Sequence, residues 1–211
     1  MQTTTSAQTG SPTGALLKFL CLLWLAGISM RVTVLAVPPV IRLIHDDLHM
    51  TETQVGLLIG LPLMTWAIAA VPGSLLIARF GAVQTLIVGL LLTGLAAAAR
   101  AAMPNIWLLY LATLLMGFGI AVMQPAIPTL VHERVPRHVG LGTAVASNGM
   151  LVAVAAGPTL TIPVVLPLIG QSWRLDLVVW AIPVFLTAAL FLLFAPRGWL
   201  PRWWHRPHLQ A

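Results

Sequence analysis

Charge is what this sequence has least of. Only 8% of its 211 residues are Asp, Glu, Lys or Arg, against roughly 25% in soluble domains, which excludes a soluble globular fold. Acidic residues number five, and none falls deep inside a long apolar run, so a carboxylate proton relay is not expected. The single cysteine, Cys21, rules out an intramolecular disulfide and any cysteine-based metal cluster. His45 and His49 share a helical spacing beside Asp46, but a zinc site needs a third ligand that the sequence does not offer. The apolar runs hold no nucleophile–base constellation and no metal set, so neither an enzyme nor a cofactor is expected. The eleven basic residues, which give a net charge of +6, are dispersed, without a basic helix or an aromatic stacking platform. Nucleic acid is therefore not an expected partner. The polar start, residues 1–14, lacks a basic segment ahead of a short apolar stretch and reads as a disordered tail, not as a cleaved signal peptide.

What the chain does have is apolar length. With 59% hydrophobic residues and a mean hydropathy of +0.95, it reads as an all-α, multi-pass membrane protein with the lipid bilayer as its solvent. Runs long enough to cross a bilayer predict six helices, at about 15–44, 51–78, 83–102, 106–131, 140–165 and 175–195. They form one bundle, 15–195, followed by a basic and aromatic tail, 196–211. Thr51 with Gln54 three residues later has the form of a capping box at the start of helix 2. Gly56, Gly60, Leu63 and Ala67 make a small-residue stripe along that helix. His45 to His49 reads as a short polar loop. Lys18, Arg79, Arg134, Arg137, Arg197, Arg202 and Arg206 gather on the side of the termini, whereas Arg42, Arg100 and Arg174 share the other side with Asp46, Asp47, Glu52 and Asp176. That bias puts both termini in the cytoplasm of a protein of the plasma membrane, or of the inner membrane of a cell that has two.

One charge does not fit the apolar background. Arg31 lies 13 residues beyond Lys18 in the first run, about 20 Å along a helix and so well away from both surfaces. A central arginine costs about 2.5 to 3.5 kcal/mol even on lenient scales, and such residues face protein or a water-filled cavity. Trp24, Gly27, Arg31, Val34 and Pro38 share a helical face, and Gly27 leaves room for a backbone or a small ligand one turn below the arginine. Arg31 can bind an anionic or electron-rich solute, or it can bond to helix-end carbonyls as a structural residue. Arg100, near a helix end, is expected to reach the interface along its aliphatic stem.

Several landmarks together resemble a known family. They are Gly27 and Met30-Arg31 followed by Pro38; Gln54-Val55-Gly56-Leu57-Leu58 through Leu61-Pro62; Ala78-Arg79-Phe80-Gly81; Gly117 through Ala121 followed by Pro128; and Trp173-Arg174 with Trp180-Ala181. From Lys18 to Arg197 the chain is similar to the N-terminal half of a major facilitator superfamily transporter of the cyanate and 2-nitroimidazole permease family. It departs from that pattern at Ser29 and Val32, where the family usually has Asn and Pro around the arginine. It departs again at Ala78, which replaces an acidic residue of the loop between helices 2 and 3. Thr161-Ile162 stands where the antiporter signature begun by Gly157-Pro158 would continue with a glycine pair.

The resemblance implies one six-helix half of a twelve-helix fold, with the solute held between the halves near the midplane. It therefore implies a second six-helix unit or a homodimer partner, and transport of a small solute by alternating access. Helices 1 and 4 line the cavity in that superfamily, which makes Gln124 a companion for Arg31. Trp66 can stack a planar solute or fill space, and Asn148 with Ser147 can touch solute or bridge helices. Arg79, Gly81, His132 and Arg134 fall in the cytoplasmic loops, as gate residues. A second reading is a membrane fragment or scaffold that transports nothing, with the tail from Trp199 as an interfacial anchor.

Overall fold

The computed structural model describes residues 12–194, apart from the side chains of residues 12, 13 and 69–71. Every regular element among them is helical. The last three residues of the expected 1–14 tail already belong to α1. The rest of that tail and the 196–211 segment lie outside the described residues.

The first span is two helices, α1 (Pro12–Leu35) and α2 (Val37–Leu48). Pro38 and Pro39 have no N–H for the carbonyls of Val34 and Leu35, so α1 ends at Leu35. The polar segment expected as a loop instead continues α2 to Leu48, and His49 closes it in the left-handed region at φ 48°. Asp47 holds that last turn in place. Its carboxylate accepts from Trp173 Nε1 at 3.1 Å and from Arg174 Nη2 at 3.0 Å.

Next comes α3 (Glu52–Phe80), which opens on the expected capping box. The Gln54 N–H donates to the Thr51 hydroxyl at 3.3 Å, and the Thr51 N–H donates to Gln54 Oε1 at 2.8 Å. The axis bends by 55° between Glu52–Ile68 and Pro72–Phe80. Pro72 is the physical cause, since it cannot donate to the Ile68 carbonyl and its ring pushes that turn open. A single residue, Gly81 at φ 89° and ψ 159°, joins α3 to α4 (Ala82–Ala99). That backbone region is open essentially to glycine alone.

A 3-10 turn, Arg100–Ala102, leads on to α5 (Ile106–Met123), capped by Asn105, whose Oδ1 accepts from Leu108 N at 3.0 Å. The expected fourth span is also broken. Pro125 removes the bond to the Ala121 carbonyl, and α6 (Ala126–Arg134) follows as a separate helix. After a 3-10 turn at Pro136–His138, α7 (Val139–Leu160) passes into a π-helical turn, Thr161–Val165, and the single turn α8 (Leu166–Leu168). The last helix is α9 (Trp173–Phe194). Five helical units are long and apolar enough to cross a membrane, and the bent α3 makes a sixth when its two arms count as one span.

Glycine sets how closely the helices approach. The buried residues of α7 are Gly142, Ala146, Gly149, Ala153 and Gly157; Gly142 lies against Val131 of α6, and Ala146, Gly149 and Gly157 lie against α1. A Cβ on Gly149 would strike the Trp24 carbonyl, and one on Gly27 would strike the Ala146 carbonyl, so the two backbones touch. Gly89 and Gly119 bring α4 and α5 together in the same way beside Thr93. Tyr110 of α5 donates its hydroxyl to the Gln54 carbonyl at 2.8 Å and ties down the start of α3. Since the spans alternate in direction, the start of α1, the Gly81 joint, the α6–α7 turn and the end of α9 share one end of the bundle.

Candidate functional site

At the level where α1 gives way to α2, the bundle has a partly open cavity of about 230 Å³. Arg31, Val34 and Pro38 form one wall, Leu58, Pro62 and Trp66 of α3 another, and Arg100, Met116 and Val154 close it. The Arg31 guanidinium sits over the Trp66 ring, its carbon 4.6 Å from the centroid. A cation over an indole face gains about 2 kcal/mol or more once water is excluded. Trp66 lies one turn beyond Pro62 in the first arm of α3, Glu52–Ile68. Arg31 and Trp66, singled out separately in the sequence, form one unit.

Arg100 is placed differently from expectation. It does not reach the interface; it is 1% exposed, one of the largest fully buried side chains of the protein. Its Nη1 donates to the Thr33 carbonyl at 3.3 Å and to Met116 Sδ at 3.1 Å, while its Nε has no partner. Among the described residues, no carboxylate lies within salt-bridge distance of either Arg31 or Arg100. Sequence reasoning missed Arg100 because its position near a helix end says nothing of what covers it. The cover comes from Thr33, 67 residues earlier.

Gln124 does not join this cavity's lining. It is half-buried at the break between α5 and α6, its N–H still donating to the Ile120 carbonyl at 3.2 Å. The face it shares with Gly117 and Ala121 is covered, not open. A Cβ on Gly117 would run into Thr65 and Pro62, and one on Gly73 would meet the Ala121 carbonyl. Asn148 is also off the cavity. Its Oδ1 accepts from Trp24 Nε1 at 3.0 Å and so bridges α7 to α1 below Arg31.

The four loop residues share the end of the bundle that carries the start of α1. Arg79 is exposed and lies over Phe80 at 5.7 Å, and Gly81 is the joint described above. His132 and Arg134 are exposed in the last turn of α6. At the opposite end the chain is latched. Arg174 donates through Nη1 to the carbonyls of Ala101 and Met103, both at 3.0 Å, stacks over Trp173 at 4.5 Å and pairs with Asp47. Asp176, two residues on, is fully buried, and neither carboxylate oxygen has a hydrogen-bond partner. It is a buried acid that the sequence grouped with the charges on the side away from the termini.

Comparison with known proteins agrees with this architecture. The family model described as Major Facilitator Superfamily matches residues 19–207. The chain is 32% identical over 180 residues to the 2-nitroimidazole transporter of Escherichia coli (strain K12), a match covering 85% of this chain and 43% of that protein. It is 29% identical over 176 residues to the cyanate transport protein CynX of the same organism, covering 82% of the chain and 44% of the relative. The uncharacterized transporter YycB of Bacillus subtilis (strain 168) is 27% identical over 178 residues, 84% of this chain and 42% of its own. The chain thus spans less than half the length of the curated relatives it matches. This helical, multi-pass membrane protein, with its Arg31–Trp66 cavity, belongs to the major facilitator superfamily.

Proposed function

We propose that this chain is one six-helix half of a transporter that moves a small solute by alternating access, with the solute held at the Arg31–Trp66 pair. The observation that carries this reading is a guanidinium stacked at 4.6 Å over an indole, beside a cavity inside an otherwise apolar bundle. A charge kept there at the cost of desolvation marks a solute path. The relatives' names, a 2-nitroimidazole transporter and a cyanate transport protein, suggest small planar or linear solutes, a size that about 230 Å³ accommodates.

The complementary half is a second six-helix unit or a second copy of this chain, since one bundle cannot close a midplane site on both sides. Arg79, Gly81, His132 and Arg134, together at one end, are the cytoplasmic gate in this scheme. The surplus of Lys and Arg at that end supports a cytoplasmic location for both termini in the inner or plasma membrane. Gln124 and Asn148 act in packing and not in solute binding, since neither lines the cavity.

Uptake of labelled cyanate and of labelled 2-nitroimidazole into vesicles tests the reading, with the chain alone and co-expressed with a complementary half. Arg31→Ala should lower uptake at least tenfold while membrane insertion stays at the unmodified level. Uptake unchanged by that substitution would overturn the assignment.

A further inference from the structure

Arg100 lines the same cavity as Arg31, and its bonding is incomplete. A buried guanidinium offers five donors and accepts nothing. Here it gives one nitrogen to a backbone carbonyl and a thioether and leaves Nε unpaired, with no carboxylate in reach. Thioether sulfur is a weak acceptor and cannot offset the charge. The other lining residue with an orphaned buried polar atom is Trp66, whose Nε1 has no partner. The polar groups left unsatisfied around the cavity are therefore donors, and the two charges beside it are both positive. Leaving them so is costly, and a group that accepts several hydrogen bonds and carries negative charge would relieve both costs at once.

Resting on the transporter reading, we propose that Arg100 is the second, specificity-determining group of the solute site. It selects compact anions over neutral solutes of the same size, with Arg31 and Trp66 as the other polar groups of the cavity. Arg31 contributes through its stacked pair and serves any small planar solute. Arg100 contributes buried charge and serves anions alone. Gln124, the expected companion of Arg31, has no part in this selection.

Isothermal titration of the full chain in lipid nanodiscs tests the proposal. The anionic probes are cyanate, thiocyanate and nitrate at constant ionic strength, and the neutral probe is 2-nitroimidazole at a pH where it is uncharged. Arg100→Gln should weaken the tightest anion at least tenfold and change 2-nitroimidazole binding less than twofold. Arg100→Lys, which keeps the charge and loses the planar fork, should fall between. Should Arg100→Gln fail to fold, Met116→Glu leaves the arginine in place and gives it an internal carboxylate, with Met116→Gln as its neutral counterpart. Met116→Glu should lose anion binding at least tenfold relative to Met116→Gln. Anion affinity in Arg100→Gln or in Met116→Glu equal to that of its reference overturns the role of Arg100 and leaves the transporter reading standing. Binding of 2-nitroimidazole without any anion does the same. A chain that binds none of the four probes, either alone or co-expressed with a complementary half, overturns both.

Discussion

One face of α1 behaves in two ways along its length. Just past its middle, Trp24 and Gly27 lie against α7 so closely that the Gly27 site touches the Ala146 carbonyl, and Trp24 is bonded to Asn148. One turn further on, Arg31 and Val34, with Pro38 beyond the end of α1, continue the same stripe but border a cavity instead. The difference arises from two sequence features. Gly27 and Gly149 allow backbone contact on one side, whereas beyond Arg31 the prolines Pro38 and Pro39 end α1 and begin α2. A helical stripe thus predicts a shared direction, and the neighbour decides whether that direction is seam or site.

The largest effect expected on this contrast is at the seam. Gly149→Leu puts a branched side chain where the Trp24 carbonyl already stands. Overpacking of cores costs about 1 to 3 kcal/mol, and here a backbone must also move. The folded, monodisperse yield in detergent should fall by more than half, and loss of solute binding should follow from the misplaced α1. A Gly149→Leu protein with unchanged yield and unchanged melting temperature would show that the seam does not set the position of α1.

At the cavity the effect is smaller and confined to the ligand. Trp66→Ala removes the ring under Arg31 and should weaken solute binding about tenfold, in line with a cation–π contact of about 1 to 2 kcal/mol. Trp66→Phe should recover most of it. Equal losses in the two variants would mean that the indole fills space and does not hold Arg31. The smallest effect belongs to the bridge between the two regions. Asn148→Ala deletes the 3.0 Å bond to Trp24, and interhelical bonds of this kind average about 0.6 kcal/mol. Its thermal midpoint should drop by only a degree or two with solute affinity unchanged. A tenfold loss of affinity would return Asn148 to the site.

Much of this was legible in the sequence, and the rest was hidden for specific reasons. The spans, the capping box at Thr51 and the isolated charge at Arg31 are local signals, carried by residues within a few turns of one another. The burial of Arg100 is set by Thr33 and Met116 on two other helices. The helical state of His45 to Leu48 depends on Trp173 and Arg174, more than a hundred residues downstream. Gln124 shows the converse, lying off the cavity that Arg31 lines. Its periodicity with Gly117 and Ala121 was real, but α3 lies across that face, and a glycine stripe can mark a covered surface as readily as an open one. The pairing of Arg31 with Trp66 needed the chain to return antiparallel through the turn at residues 49–51, which spacing alone does not specify.

The joint at Gly81 has a mechanical consequence for the cavity. At one end, α3 is hinged to α4 through a single residue, and at the other it is fastened by Thr51, Gln54 and Tyr110. The 55° elbow around Pro72 lies between those two attachments, beyond Trp66, so a change in its angle would swing the Gly81 end of α3 while leaving the Trp66 arm fastened at Thr51 and Tyr110.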